Sequence, residues 1–152
     1  MDKVIVTALL VIAGVVSAVT FFNAVYPAIG QSGDAITSME GRVNEQLKTQ
    51  IKIVYGAQSN GDVLIWVKNI GALAVTAPEA SDLFFGPQGN FARIPYGTGT
   101  PHWEYQVENG GVWSPSHTLQ IRIVGYSPLN PGIYYSKLVL ANGVSDEYYL
   151  SW

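Results

Sequence analysis

The sequence predicts an α+β protein: a long N-terminal hydrophobic α-helix followed by an antiparallel, immunoglobulin-like β-sandwich head. Three observations carry that prediction. The run from Val4 to Phe22 holds no charged residue, and the uncharged stretch continues to Gly33 before Asp34 breaks it. At Ile51 the apolar spacing changes from three and four to two. Beyond Ile51, short β-prone runs alternate with clusters of Gly, Pro and Asn.

Composition narrows the function before any motif does. The chain has 152 residues, 48% hydrophobic and only 12% charged, where soluble domains carry about a quarter charged residues. Disorder is excluded by that balance. The net charge of -3, with eight Lys and Arg scattered along the chain, leaves no basic surface for nucleic acid. The absence of cysteine excludes disulfide frameworks, thiolate metal sites and cysteine nucleophiles.

The first apolar run has transmembrane length, because about 20 helical residues span the roughly 30 Å of a bilayer core. Small residues Ala8, Gly14, Ser17 and Ala18 would let another helix approach closely. Three readings compete. One is a cleavable signal peptide, with Asp2 and Lys3 as a poor charged start and Val16-Ser17-Ala18 as its cleavage site. Another is a simple membrane anchor. The third is a helix that sits in the membrane and later packs against copies of itself in a filament core.

The residues beyond the apolar run favour the third. Apolar positions resume at Ile36, Met39, Val43, Leu47 and Ile51, spaced by three and four, while Asp34, Glu40, Arg42, Glu45 and Lys48 fill the other positions. One helix over residues 1–50 is expected, apolar over 4–26 and amphipathic over 28–50, with a stripe that supports the head. Pro27, with Gly30 and Gly33 behind it, predicts a bend or a loosened turn. Such a helix is far longer than a single anchor requires.

Residues 51–152 form the head. Ile51, Ile53 and Tyr55 alternate with Lys52 and Val54. Ser59-Asn60-Gly61 then supplies a hairpin turn, and Val63, Ile65 and Val67 alternate with Leu64, Trp66 and Lys68. Further strands are expected at Leu73–Ala77, Asp82–Phe85, Phe91–Pro95, His102–Val107, Leu119–Val124, Ile133–Ala141 and Val144–Trp152, the last two joined by a type I′ turn at Asn142-Gly143. Eight or nine such strands describe a sandwich.

Catalytic, cofactor and metal sites find no residues to carry them. His102 and His117 lie in turn-rich contexts without a partner ligand at helical spacing. Asp146 and Glu147 are adjacent on one strand and therefore point to opposite faces, as solvated edge residues do. Gly86-Pro87-Gln88-Gly89 and Gly97-Thr98-Gly99-Thr100-Pro101 read as loops, since neither opens a helix or brings a lysine to a phosphate. All Tyr and Trp residues except Tyr26 lie beyond Ile51. In the pairs Tyr134-Tyr135 and Tyr148-Tyr149 one ring is expected inside the sandwich and the other outside, where it would serve subunit contacts or glycan binding.

Several segments together resemble a known group. They are Ala13 to Ile29, ending in Phe22-Asn23-Ala24-Val25-Tyr26-Pro27-Ala28-Ile29, then Asn44-Glu45-Gln46-Leu47-Lys48-Thr49, and Ile65-Trp66-Val67-Lys68-Asn69-Ile70-Gly71. A chain with these segments resembles the type IV pilin-like proteins of archaea, specifically archaellins and the archaellum accessory proteins, and is most similar to the accessory protein G family. The resemblance covers most of residues 4–71, and beyond Gly71 only the architecture matches.

The resemblance implies a pilin-like lollipop made as a prepilin and held in the membrane before assembly. It implies trimming by a dedicated peptidase and assembly into an extracellular cell-surface filament that serves motility or adhesion. Residues Val4, Ala8, Leu9, Val11, Ile12, Gly14, Val15, Ala18, Phe22 and Val25 would pack the filament core, and Pro27, Gly30 and Gly33 would form its bend. No leader with a basic residue and glycine precedes the apolar run, so numbering starts either at the processed terminus or at the encoded Met1. No Asn-x-Ser/Thr sequon occurs, whereas archaellins are often N-glycosylated. Two functions are carried forward: the filament subunit, and a low-copy accessory or stator protein that binds the surface layer or other accessory proteins through its head. A membrane-anchored carbohydrate-binding domain is a third.

Overall fold

The computed structural model describes all 152 residues. Its elements are α1 (Asp2–Lys48), β1 (Ile51–Ser59), β2 (Asp62–Asn69), a 3₁₀ turn (Pro78–Ala80), β3 (Asp82–Pro87), β4 (Ala92–Ile94), β5 (His102–Val107), β6 (Thr118–Val124), β7 (Ile133–Val139) and β8 (Ser145–Ser151). The chain divides into two compact units, Met1–Arg42 and Val43–Trp152.

In the first unit every residue is helical after Met1, and none is buried. Its hydroxyls are satisfied by the helix itself: Thr7 donates to the Lys3 carbonyl, Ser17 to Ala13 and Thr20 to Val16, at 2.7–2.8 Å. A hydroxyl bonded in this way enters an apolar medium without stranding a donor. Helix α1 passes Pro27, Gly30 and Gly33 as one helix, Asp2–Lys48.

The second unit is a two-layer sandwich. Its sheets have strand orders β1-β2-β6-β5 and β4-β3-β7-β8, and every pair of strands in them is antiparallel. That is the immunoglobulin arrangement, ABED facing GFC with one strand added beside C. Alternation drives it. Val63, Ile65 and Val67 of β2, Leu119, Ile121 and Ile123 of β6, Leu83 and Phe85 of β3 and Leu138 of β7 all face inward and are almost wholly buried, with Trp103 beside Ile123 at one end and Trp113 beside Asn69 and His117 at the other. Tyr134, near the start of β7, donates its hydroxyl to the Asn130 carbonyl at 3.0 Å and accepts from the Asn130 N–H at 3.1 Å. A tyrosine holding its own upstream corner at this strand is an immunoglobulin-fold device.

Both open sides of the sandwich are tied. On one, Tyr96 bridges to Trp103, and the Trp103 N–H donates to the Pro95 carbonyl at 2.9 Å, which links the chain after β4 to β5. On the other, Asp146 of β8 reaches β1, and Leu150 lies so close over Gly56 that a Cβ at Gly56 would overlap its side chain. Unpaired strand edges invite foreign strands, and here each edge meets its own chain.

Three expectations need correction. Leu73–Ala77 is not a strand, because only Val75 forms a bridge, to Trp113. The backbone donors around it have other work: Ile70 and Gly71 donate to the Gln50 carbonyl, and Ala72 and Leu73 to that of Lys48. The turn at Asn142-Gly143 is not type I′. Only Gly143 has positive φ (86°), with Leu140 N–H bonded to the Val144 carbonyl, which makes a longer hairpin loop closed by a left-handed glycine. Ile51 opens β1 and is buried instead of ending the helical stripe, whose members Ile36, Met39, Val43 and Leu47 are exposed. By contrast Asn60 (φ 50°) and Gly61 (φ 89°) form the expected tight turn.

Candidate functional site

Three surfaces stand out on the molecule: the apolar length of α1, the junction where α1 meets the sandwich, and the outer face of the first sheet. No group of three or more His, Cys, Asp or Glu side chains gathers as a metal would require. His102 Nδ1 lies 2.8 Å from the Gly99 carbonyl and His117 Nδ1 lies 3.2 Å from that of Pro115, so each ring is engaged with its own turn.

Helix α1 is long and apolar enough to cross a membrane. Of the residues proposed for helix packing, Val4, Ala8, Val11, Gly14, Val15, Ala18, Phe22 and Val25 fall in one arc at spacings of three and four, whereas Leu9 and Ile12 lie outside it. Beyond its own helical turn, nothing lies within 4 Å of where a Gly14 Cβ would sit. Gly14 and Ala18 form a small-xxx-small pair on that arc, the spacing at which membrane helices come closest.

The junction lies within the second unit and is built from two of the segments that carry the resemblance. Gln46, in the last turns of α1, donates through Nε2 to the Asn142 carbonyl at 2.6 Å, and Asn142 donates through Nδ2 to the Thr49 hydroxyl at 3.1 Å. Thr49 in turn donates to the Glu45 carbonyl at 2.8 Å. From the other side the 70–73 backbone caps the carbonyls of Lys48 and Gln50. The Lys48 carbonyl is one of those a helix end leaves without a partner.

Gly71 makes that approach possible: a Cβ there would stand 2.5 Å from the Gln50 nitrogen and 2.6 Å from the Lys48 oxygen. Asn69, wholly buried, sets the loop. Its amide donates to the carbonyls of Leu73 (2.8 Å) and Trp113 (3.1 Å), and its oxygen accepts from the Gly71 N–H (3.0 Å). Local pattern assigns Asn69 and Gly71 no task of this kind. By residue type alone Asn142 is only a turn residue, and Gln46 only polar helix surface.

The outer face of the first sheet is organised by a β-bulge. Register slips between Ile53 and Tyr55, so Ile53 pairs with Val67 while Tyr55 pairs with Trp66. The extra residue turns Tyr55 outward, where it is 58% exposed, instead of inward with Ile51 and Ile53 as strict alternation required. Its ring lies 5.4 Å from that of Trp66, tilted by 36°. The same rung continues to Gln120 and Gln106. The next rung toward the hairpin carries Arg122 and Glu104, ion-paired at 3.6 Å, and Arg122 also pairs with Asp62 at the start of β2 at 2.6 Å.

On the second sheet the expected division holds for Tyr148, packed against the core, and Tyr149, 52% exposed, whereas in the pair Tyr134-Tyr135 it holds for direction but not for exposure. Tyr134 enters the core and stacks on Phe85 at 5.6 Å. Tyr135 faces outward yet is buried, sandwiched by Phe91 (4.6 Å) and Tyr149 (5.3 Å). Its hydroxyl donates to Glu147 at 2.8 Å, and burial, then that hydrogen bond, push its pKa up to about 12. Tyr105, bonded to Glu79 at 2.8 Å, is likewise pushed up to about 12, by desolvation first. Asp146 and Glu147 do point to opposite faces, but neither is merely solvated. Asp146 holds β1, and Glu147 holds Tyr135.

No family model matches the chain. It is 29% identical over 162 residues to an uncharacterized protein of Archaeoglobus fulgidus, a match covering 99% of this chain and 98% of that protein. Among solved structures it is similar to the archaellum periplasmic stator protein FlaG from Sulfolobus acidocaldarius, with a TM-score of 0.61 and 27% identity, covering 67% of this chain and 99% of that one. The archaellum periplasmic stator protein complex FlaF and FlaG from the same organism gives a TM-score of 0.60 and 27% identity, covering 67% and 89%. These matches bear out the resemblance to the archaellum accessory protein G family, and the α+β fold with it. Of the two functional readings they favour the accessory, stator one. The filament-subunit reading, and self-assembly through residues 4–26, find no support in them.

Proposed function

We propose that this chain is an accessory component on the stationary side of an archaellum: residues 4–26 lie in the membrane, residues 28–50 continue the helix beyond it, and the 51–152 head engages the cell envelope. The carrying observation is the similarity to a periplasmic stator protein over nearly all of that protein's length. A stationary part must resist the reaction to a moving one. The geometry supports that role, because the end of α1 is fastened to the head from two sides, by Gln46 and Thr49 to Asn142 and by the 70–73 backbone to Lys48 and Gln50. A partner of the head on this reading is another accessory protein, as in the FlaF and FlaG complex, or the surface layer itself. The protein's place is then the cell envelope, membrane-anchored, with neither substrate nor cofactor.

Copy number tests this directly. Quantitative mass spectrometry of sheared filaments and of the remaining envelopes should find the chain with the envelopes, at a small fraction of the main filament subunit. Abundance in the sheared filaments equal to that of the principal subunit would restore the filament reading and overturn this one.

A further inference from the structure

We infer that the outer face of the first sheet is a saccharide-binding platform built on Tyr55 and Trp66. It deepens the envelope-anchoring reading by naming the chemistry that the head grips, and it rests on that reading only for its place in the cell. The groove beside these rings has a volume of about 580 Å³, within the roughly 300–1,000 Å³ typical of small-ligand sites. Gln106, Gln120, Thr118 and Glu108 line the rest of it.

The lining matches one ligand class. A pyranose ring presents a patch of C–H groups on one face and a rim of hydroxyls that both donate and accept. Aromatic faces suit the patch. Primary amides and a hydroxyl, which also donate and accept, suit the rim. Here two rings and two amides share a single rung, Tyr55–Trp66–Gln120–Gln106, while the Glu108 N–H donates to the Thr118 carbonyl at 3.0 Å and so holds the second polar pair beside it. None of these four polar side chains is tied within the chain, unlike Arg122 and Glu104 on the adjoining rung, which pair with each other and, through Arg122, with Asp62.

The ligand should be uncharged. Glu108 is the one charged side chain that lines the groove, so a phosphate or carboxylate would meet a like charge there, and the nearest cation, Lys68 on the rung of Thr118, stands outside the lining. The platform is also stiff. Trp66 and Gln120 sit on the two inner strands, with Ile65, Val67, Leu119 and Ile121 buried beneath them, and the bulge that aims Tyr55 outward lies where β1 is held by Asp146.

The test uses the full chain in a sugar-free detergent such as lauryldimethylamine oxide, titrated with cellotriose, maltotriose and mannotriose, and with trigalacturonate as the anionic comparison. At least one neutral trisaccharide should shift the Trp66 indole N–H resonance and the Gln106 and Gln120 side-chain amides, with a dissociation constant near or below about 1 mM. Trp66→Ala should weaken binding at least about tenfold. Gln106→Ala, a change at an exposed edge-strand site that leaves the core intact, should weaken it several-fold. No shift from any neutral sugar, shifts that survive Trp66→Ala, or a stronger response to trigalacturonate would each overturn the platform.

Sedimentation of the same chain with isolated envelopes, before and after periodate oxidation of their glycans, separates the two readings. Loss of binding on oxidation supports both. Binding that survives oxidation, with no sugar response, overturns the platform and leaves anchoring standing. A sugar response without any envelope binding keeps the platform and overturns anchoring.

Discussion

The carboxylate of Asp146 in β8 accepts a 2.7 Å hydrogen bond from the backbone N–H of Ile53 in β1, joining the free edges of the two sheets. The same group meets the Lys52 ammonium at 3.2 Å, and its side chain is 17% exposed. Ile53 is 1% exposed, so its N–H has no easy route to water. The bulge just after Ile53 belongs to the same device, because it takes β1 out of strict pairing where Asp146 enters.

Asp146→Ala should therefore cost about 1–3 kcal/mol, the penalty for a buried donor left without an acceptor. For a head of this size each kcal/mol lowers the melting temperature by about 4–8 °C. Asp146→Asn keeps an acceptor and should cost less, while Lys52→Ala, at an exposed ion pair, should cost no more than about 1 kcal/mol. Thermal unfolding of the three variants gives that order. A Lys52→Ala loss equal to that of Asp146→Ala would shift the weight from the N–H to the ion pair.

Gly71→Ala should loosen the junction specifically. The added methyl meets the backbone of Lys48 and Gln50, which cannot swing aside as a side-chain end does, and overpacking of this kind costs about 1–3 kcal/mol. Hydrogen exchange should accelerate at Ile70–Leu73, whose amides bond to Gln50 and Lys48, and stay unchanged in β6. Gly56→Ala is the contrasting variant, since its methyl meets the buried Leu150 side chain of β8, away from the junction. Equal acceleration in β6 would mean that the junction is not a separable element.

Residue types reveal strands more readily than they reveal who binds their loose ends. Alternation in Val63, Ile65 and Val67 predicts β2, because a period of two has one inner face and one outer. The same rule misplaces Tyr55, since one inserted residue reverses every direction after it, and nothing in Ile53-Val54-Tyr55 announces the insertion. Leu73–Ala77 is apolar enough for a strand, yet the amides leading into it are committed to a helix end about twenty residues upstream, a long-range fact that no local pattern holds. The apolar half of α1 is legible throughout, because length and lack of charge suffice for it. The Tyr55–Trp66–Gln120–Gln106 rung is not, because its members come from four strands and meet only through register.

Alkaline unfolding should show the two raised phenols. Tyr135 and Tyr105 both move from 10.0 to about 12, burial being the first cause and hydrogen bonds to Glu147 and Glu79 the next. The folded state thus prefers each phenol neutral. That preference stabilises the fold fully below pH 10 and disappears as pH rises through about 12. Tyr135→Phe and Tyr105→Phe should each flatten the fall in stability over that window, and the double variant should flatten it most. A fall as steep in the double variant as in the parent would assign it to other groups, Tyr126 among them, which is raised by burial.

Gly14→Leu and Ala18→Leu should separate insertion of α1 from its association. We propose that the arc Val4, Ala8, Val11, Gly14, Val15, Ala18, Phe22 and Val25 packs against another helix in the membrane, a copy of itself or that of an accessory partner. Leucine is among the residues most favoured at a bilayer centre, so either change should leave membrane insertion intact or improve it. The same bulk on a small-xxx-small face holds helices apart, where close contact is the main source of attraction between them. Leu9→Ala and Ile12→Ala remove bulk off the arc and should disturb association little. Membrane fractionation reads insertion, and energy transfer between labelled chains in bilayers reads association. If the leucine variants lost both equally, or if Leu9→Ala and Ile12→Ala weakened association as much, the arc would not be the packing face.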